Sequence, residues 1–358
     1  MCGLDMNVRP ARAARQRGLS IIELMVGIVI SLMVALVSVG SANVFSAMQR
    51  QGISTGGAAV NSSSALAALK NDAALAGLGF FGDAQFLCNK LNLSVGASKL
   101  SDGADFTPVR ITRETGGDRI DVLYGSQVAA GSNVLLNSTS AGTAAELRSL
   151  LPVAASQAVL LAPPTPGDPC LVRSVTAVTA STDATKQQLT FGSTGSYNAA
   201  TFTTSVSYAD KSRVTLLGDL QWSRYSLVGT DLKLERPLSS ASAVLARNVM
   251  AFRAEYGIAA TAAGSTTLES WQPATGTTFT TLAAASLPRV RALRIGLVTR
   301  SPQREKANAS GVCEASSDKP VLFGETITPD VSDWQCFRYR TTVVVVPLRN
   351  LVMGFTTP

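Results

Sequence analysis

A long apolar segment near the N-terminus constrains this chain more than any other feature. Between Leu19 and Val39 the sequence holds one charged residue, Glu23, among Leu, Ile, Val, Met, Ala, Gly and Ser. About 20 apolar residues in a helix span the hydrocarbon core of a bilayer, so the segment predicts a membrane-spanning helix. Arginines at positions 9, 12, 15 and 17 precede it, and arginines that flank a first span stay on the cytoplasmic side. We therefore expect the rest of the chain to lie on the far side.

Two details distinguish this segment from an ordinary membrane anchor. Gly18 stands before the apolar run, whereas a secretory signal has its small-residue cleavage site after the run. Glu23 lies inside the span, where a carboxylate costs roughly 2.5–3.5 kcal/mol and needs a partner. Cleavage after Gly18 would free an amine at Leu19, which such a carboxylate could reach on a neighbouring copy.

The string from Gly18 to Leu24 resembles the class III signal of type IV prepilins, which has Gly followed by a hydrophobic residue and Glu at the fifth mature position. The resemblance implies cleavage after Gly18 by prepilin peptidase, methylation of the new amine on Leu19, and assembly into a helical filament. This sequence has Leu19 where Phe is commoner. The alternative is a single-span anchor in which the spacing from Gly18 to Glu23 is accidental.

The overall charge excludes some classes of function. Residues 1–18 hold four of the 31 basic and one of the 24 acidic residues, so the remainder carries an excess of only four positive charges. A nucleic-acid-binding face would need clustered basic residues, so no nucleic-acid partner is expected. The chain contains no His, which removes the commonest general base, and we predict no catalytic residues, metal or cofactor. The acid pairs Asp118/Asp121 and Asp330/Asp333 are interpreted as solvated turn residues.

Four cysteines follow the leader, Cys88, Cys170, Cys313 and Cys336. An even number of cysteines in a domain outside the cytoplasm predicts disulfides. Of the three possible connectivities, we favour the pairing in chain order, Cys88–Cys170 and Cys313–Cys336.

The sequence predicts an α+β fold, with a long N-terminal helix packed on a globular head of antiparallel β-sheet. We divide it into a leader (1–18), a membrane or filament-core helix (19–44), an amphipathic continuation (45–78) and a β-rich head (79–358). Glycines at 52, 56 and 57 should weaken the helix locally. Leu66, Leu69, Ala73 and Ala76 recur at helical spacing and form one apolar face, and glycines at 77 and 79 end the helix.

The sequence of the head predicts short strands separated by turns. Residues 222–228 and 231–236 predict a hairpin, and 249–256, 289–299 and 336–347 predict strands. Val343 to Val346 are apolar on both faces, which predicts a central position in a sheet. Segments rich in Ser, Thr, Ala and Gly (94–104, 129–145, 179–205 and 259–286) predict long surface loops or edge hairpins.

Two parts of the head resemble the PilW family of minor pilins. They are the Gly-Phe-Phe-Gly segment at 79–82 that precedes Cys88, and the strand pair at 291–300 and 339–350. The resemblance implies a minor pilin that helps to start assembly of a type IV pilus, in a tip or priming complex. A J-type pseudopilin of type II secretion is similar in signal, size and head, and a membrane-anchored periplasmic enzyme is the third hypothesis.

The implied partners are other minor pilins, the major pilin, prepilin peptidase, the pilus assembly platform and a tip adhesin. The implied location is the inner membrane, crossed once with the head in the periplasm, followed by the pilus at the cell surface.

Overall fold

The computed structural model describes residues 20–82, 85–164, 167–181, 183–260, 265, 267–279, 282, 286–308 and 310–356. The chain divides into two compact units, Met1–Ser54 and Thr55–Pro358. Helix α1 (Ile21–Leu75) begins in the first unit and ends in the second. Two short helices follow, α2 (Gly276–Phe279) and α3 (Arg349–Thr356), with single 3-10 turns at Leu287–Arg289 and Trp334–Cys336. The predicted leader and its Gly18–Leu19 junction lie outside the described residues.

Helix α1 continues without a break through positions 52, 56 and 57, so the expected local weakening by glycine is not seen in the backbone. A glycine costs about 1 kcal/mol relative to alanine in a helix interior. Each further residue in a helix adds one backbone hydrogen bond. In a helix of 55 residues, these bonds offset the cost of the three glycines.

Short strands make up most of the second unit. Within the described residues they are β1 (Phe81–Gly82), β2 (Gln85–Phe86), β3 (Lys90–Val95), β4 (Ser98–Asp105), β5 (Val109–Thr112), β6 (Arg119–Gly125), β7 (Asn133–Leu135), β8 (Ala144–Leu147), β9 (Ala158–Ala162), β10 (Cys170–Ser174), β11 (Ala177–Ala180), β12 (Gln187–Thr190), β13 (Arg213–Gly218), β14 (Leu220–Val228), β15 (Asp231–Arg236), β16 (Ala241–Ala246), β17 (Val249–Ala259), β18 (Leu268–Pro273), β19 (Val290–Arg300), β20 (Val321–Leu322), β21 (Glu325–Thr326) and β22 (Tyr339–Pro347).

The described strands form three larger sheets, one sheet of three strands and two sheets of two strands, β1-β2 and β20-β21. In the described part of the chain the strand orders are β4-β3-β10-β9-β13-β7, β16-β15-β14-β6-β5, β18-β17-β19-β22 and β11-β12-β8. The pairing is antiparallel in the described sheets except between β3 and β10. The predicted α+β class, a helix followed by a mainly antiparallel head, is therefore confirmed.

The segments rich in small polar residues supply some of the sheet edges. β7 and β18 lie inside the segments predicted as loops or edge hairpins, β4 and β11 overlap them, and all four strands lie at the end of a sheet. The prediction is wrong for β12, which lies in the segment 179–205 but is the middle strand of β11-β12-β8. An edge strand needs a partner on one side only, so small polar side chains suffice there.

The prediction of a central position for Val343 to Val346 is wrong, because β22 is an edge strand paired to β19. Val344 and Val346 lie opposite Ile295 and Leu293 on the core face, and Val346 is fully buried. Val343 and Val345 lie on the other face and are each 47% exposed. An apolar run in the sequence alone cannot distinguish a central strand from an edge strand with one exposed apolar face.

The largest core lies where the end of α1 meets two sheets. It joins buried residues of α1 to those of β5, β6 and β14 in the five-stranded sheet and of β17 and β19 in the four-stranded sheet. A separate cluster in the six-stranded sheet surrounds Phe80, Cys88 and Cys170. The end of α1 therefore belongs to the core between the five- and four-stranded sheets, and the chain just after it belongs to the core beside the six-stranded sheet.

Candidate assembly segment and helix–sheet junction

Helix α1 begins with a reciprocal cap between Ser20 and Glu23. The backbone N–H of Ser20 donates to the Glu23 carboxylate (Oε2, 3.1 Å), and the N–H of Ile22 donates to the Ser20 hydroxyl (3.4 Å). A Ser three residues before a Glu is the sequence pattern of a capping box, which satisfies N–H groups that have no partner within the helix. The carboxylate predicted to need a partner thus has one inside its own helix. The amine of Leu19, which is the partner predicted from the sequence, lies outside the described residues.

The apolar part of α1 is fully exposed. Residues Ile21–Ala42 have a mean hydropathy of 2.6 and none is buried within the protein, so by length and composition this helix can cross a membrane. Ser31, Ser38 and Ser41 donate their hydroxyl groups to backbone carbonyls one turn earlier, at 2.7–2.9 Å. Their polar groups are therefore satisfied within the helix, as a hydrocarbon environment requires.

The other end of α1 packs through the predicted apolar face. Leu66, Leu69, Ala73 and Ala76 are 0–4% exposed in the core, so this prediction is confirmed. Asp72 lies beside them, and its two carboxylate oxygens accept hydrogen bonds from Tyr124 (2.8 Å) and Tyr225 (2.7 Å). Tyr124 belongs to β6 and Tyr225 to β14, neighbouring strands of the five-stranded sheet. The helix is thus fixed to the sheet by a charged group as well as by apolar packing.

Both tyrosine hydroxyls are held in their neutral, donating form. Burial, followed by the hydrogen bond and negative charge of Asp72, raises the pKa of Tyr124 and of Tyr225 far above the ordinary value. Hydrogen bonds to an ionised carboxylate are stronger than those between neutral groups. The two neutral hydroxyls therefore attach the helix to the sheet through hydrogen bonds to Asp72.

Three contacts end the helix. The Asn350 amide of α3 donates to the carbonyls of Leu75 and Ala76, both at 3.2 Å. Gly77 follows with φ +78°, and its N–H donates to the Leu123 carbonyl (3.0 Å). A Cβ at position 77 would lie 2.8 Å from the Phe81 ring, so both the conformation and the space require glycine here. The glycine predicted to end the helix also brings the chain onto β6.

Residues 218–350 match the family model of PilW, described as type IV pilus-assembly protein W. The match confirms the resemblance for the strand pair at 291–300 and 339–350, while the segment at 79–82 lies outside the matched residues. The matched segment runs from β14, which supplies Tyr225, to the start of α3, which supplies Asn350. Among solved structures, a type IV-like pilin, TTHA1219 from Thermus thermophilus, aligns with a TM-score of 0.34 and 11% identity over 82% of this chain and 96% of that chain. Comparison with curated proteins finds no match.

Two disulfides join distant parts of the head. Cys88 bonds Cys170 (Cα–Cα 5.6 Å) and Cys313 bonds Cys336 (Cα–Cα 4.8 Å), which are the pairs favoured from chain order. The first attaches the segment after α1 to β10, outside the PilW-matching segment. The second lies within it and ties the loop between β19 and β20 to the turn at Trp334–Cys336.

The interpretation of Asp118 as a solvated turn residue is wrong. Its carboxylate is fully buried, accepts the Ala254 N–H (2.8 Å), and lies 3.5 Å from Arg113 and from Arg253. Burial is the main influence and raises its pKa. Glu325 of β21 pairs with Arg113 at 2.6 Å, so the cluster joins β17 and the β20–β21 hairpin to the turn before β6. Sequence could not reveal this because the groups come from distant segments.

The other three aspartates of the two predicted acid pairs each form an ion pair with an arginine. Asp121 is also largely buried, whereas Asp330 and Asp333 are more exposed and pair with Arg300 (3.2 Å) and Arg304 (2.6 Å). Arg294 pairs with Glu255 and Arg338 with Glu305. Within the described residues, no three His, Cys, Asp or Glu side chains lie together in a way that could hold a metal ion.

Proposed function

We propose that the chain is a minor pilin that acts in assembly or initiation of a type IV pilus, within a tip or priming complex. The observation that carries the proposal is a fully exposed apolar helix, Ile21–Ala42, with Glu23 near its start, in a chain whose residues 218–350 match a pilus-assembly family. An exposed apolar surface of this size needs lipid or other helices around it. We assign the chain a structural rather than a catalytic role.

The proposal includes a processing scheme. Prepilin peptidase removes residues 1–18 and the amine of Leu19 is methylated. Residues 19–44 then anchor the protein in the inner membrane and later join the filament core. Residues 45–78 continue the helix, and residues 79–358 form the head, first in the periplasm and then on the pilus. The partners are other minor pilins, the major pilin, the assembly platform and a tip adhesin.

A deletion strain tests the role. Removing the gene should abolish or strongly reduce surface pili, counted by electron microscopy and by recovery of sheared pilin, and the parent gene should restore them. The tagged protein, cross-linked in membranes, should co-purify with other minor pilins. Mass spectrometry of the mature chain should give Leu19 as the first residue, heavier by one methylene group.

Three results would overturn the proposal. Normal piliation with lost export of folded proteins would identify a type II secretion pseudopilin. Normal piliation and normal export would remove both assembly roles. A mature chain that begins at Met1 would contradict the prepilin interpretation, whatever the piliation.

A further inference from the structure

A cavity of about 240 Å³ lies on the head between the β3–β4 hairpin and strands β5, β6 and β14. Its ionisable lining residues are three arginines, Arg110, Arg119 and Arg224, and two aspartates, Asp105 and Asp121. Arg119 also pairs with Glu114 outside the lining at 2.8 Å, so the count of charges favours neither sign and the donor groups left available decide the ligand. Pockets for drug-sized ligands measure roughly 300–1,000 Å³, so the occupant must be smaller, about one ring in size.

The cationic group of Arg224 is held in place with its outer nitrogens uncommitted. Asp121 accepts hydrogen bonds from Arg224 Nε (2.8 Å), Trp222 Nε1 (3.0 Å) and Arg119 Nε (3.1 Å). The Arg224 guanidinium also lies 5.6 Å from the centroid of the Trp222 ring. Among the described residues Arg224 makes no hydrogen bond beyond that through Nε, so its two terminal amino groups are available to a ligand.

Those two amino groups fit the two oxygens of a carboxylate. Guanidinium and carboxylate form paired, charge-assisted hydrogen bonds, which are among the strongest in proteins. A guanidinium already oriented by Asp121 and by the Trp222 ring loses little conformational freedom on binding, which favours affinity. Arg224 is therefore the anchor for the acidic group of the ligand.

The opposite side of the cavity specifies the rest of the ligand. Asp105 lies at the rim on β4, is exposed, and its carboxylate accepts no hydrogen bond from any described residue. A carboxylate accepts hydrogen bonds only, so it matches a ligand that carries hydroxyl donors. The floor is apolar, with Leu91 and Leu123 buried, and the Trp222 ring lines one side.

We propose that this cavity binds a small acidic sugar of the uronic acid class. Its carboxylate pairs with Arg224, its hydroxyl groups donate to Asp105, and its ring lies over the apolar floor beside Trp222. A purely aromatic carboxylate would satisfy Arg224 but not Asp105. The site is independent of the role proposed for the chain in pilus assembly.

Titration of the detergent-solubilised full-length protein with D-glucuronate, followed by ligand-observed NMR, tests the site. D-glucose and benzoate are the comparison ligands. Glucuronate should bind most tightly, since glucose lacks the carboxylate and benzoate lacks the hydroxyl groups. Arg224→Gln should weaken glucuronate at least about tenfold, the loss expected for hydrogen bonds to a charged group. Asp105→Ala should weaken glucuronate, which loses the acceptor for its hydroxyl groups, and should not weaken benzoate, which loses only a repelling charge.

Arg247→Gln is the matched control. Arg247 is exposed and does not line the cavity, so this variant loses one positive charge without altering the site and should bind as the parent does. Circular dichroism and thermal unfolding of each variant check that the fold is kept. Absence of glucuronate binding, or equal binding by the folded Arg224→Gln variant, would refute the site. Equal affinity for benzoate and glucuronate would refute the sugar assignment.

Discussion

The carboxylate of Asp72 accepts a hydrogen bond of 2.7 Å from the hydroxyl of Tyr225, a side chain with no exposed surface. Its second oxygen accepts from Tyr124 at 2.8 Å. Because Asp72 lies on α1 and the two tyrosines lie on adjacent strands, the pair of bonds fixes the rotation of the helix end about its own axis. Apolar packing of Leu69 and Ala73 alone would be less directional.

Replacing Tyr225 by Phe should lower the free energy of unfolding of the head by about 1.5–3 kcal/mol, the usual contribution of a hydrogen bond to a charged group. The ring remains buried, so the loss comes from the hydroxyl. Denaturant unfolding of the full-length protein in detergent measures it. Tyr197→Phe is the matched control, because the Tyr197 hydroxyl makes no hydrogen bond to a described residue. Equal stability of the two variants would show that the Asp72 bond contributes nothing.

Structural features formed by residues close in sequence could be predicted, whereas contacts between residues far apart in sequence could not. The buried face of α1 follows from the spacing of Leu66, Leu69 and Ala73. Asp72 could not be paired from sequence because its tyrosines lie 52 and 153 residues away. Asp118 was misread for the same reason, since the Ala254 N–H that it accepts is 136 residues distant. The cap formed by Ser20 and Glu23 is local and was present in the sequence, yet the apolar run around it suggested only an external partner.

The two disulfides should differ in their contribution to stability. They join residues 82 and 23 positions apart, and in the chain-entropy model loops of these lengths contribute about 4.5 and about 3.4 kcal/mol. Replacing both Cys88 and Cys170 by Ala should therefore lower the free energy of unfolding more than replacing both Cys313 and Cys336. The first pair is also packed in a core cluster with Phe80 and Leu91, so replacing it also removes buried contacts and lowers the free energy of unfolding further. A larger effect from the second pair would contradict the prediction.

Asp102 should make the stability of the head depend on acid pH. Its carboxylate accepts hydrogen bonds from Lys99 (2.8 Å) and from the N–H and hydroxyl of Thr203 (2.9 and 2.8 Å). The Lys99 bond, followed by those of Thr203, lowers its pKa to about 2. A lowered pKa means that the ionised carboxylate stabilises the fold above its ordinary pKa of 3.8, and that this contribution disappears as the pH falls through about 2.

Asp102→Asn should therefore be less stable than the parent near neutral pH, and the difference should shrink as the pH falls from about 4 to about 2. Thermal unfolding across this range measures it. Asp105→Asn, on the same strand, removes a carboxylate that accepts no hydrogen bond from the described residues and should change stability little. A difference between Asp102→Asn and the parent that stays constant with pH would contradict the assignment.

Glu23 has two candidate partners, and they imply different roles. Within its own helix the carboxylate caps the Ser20 N–H. In the proposed filament it pairs with the amine of Leu19 on this or an adjoining subunit. Two charges that leave water together gain little net energy, so such a pair would mainly fix the register at which a helix joins the filament. Snorkelling of Glu23 to the nearby headgroups is the third possibility.

Three substitutions separate these roles. Gln at the third helical position can still complete a capping box but carries no charge. If Glu23 acts by charge pairing, both Glu23→Gln and Glu23→Ala should be cleaved and inserted normally. Both should nevertheless be recruited poorly to partner pilins. Ser20→Ala keeps the charge, loses about 1 kcal/mol of helix capping, and should be recruited as the parent is. Co-purification and restoration of pili in the deletion strain measure recruitment, and mass spectrometry measures cleavage. If Glu23→Gln behaves as the parent while Ser20→Ala fails, capping is the role of Glu23. If Glu23→Ala also restores pili, its carboxylate serves neither purpose.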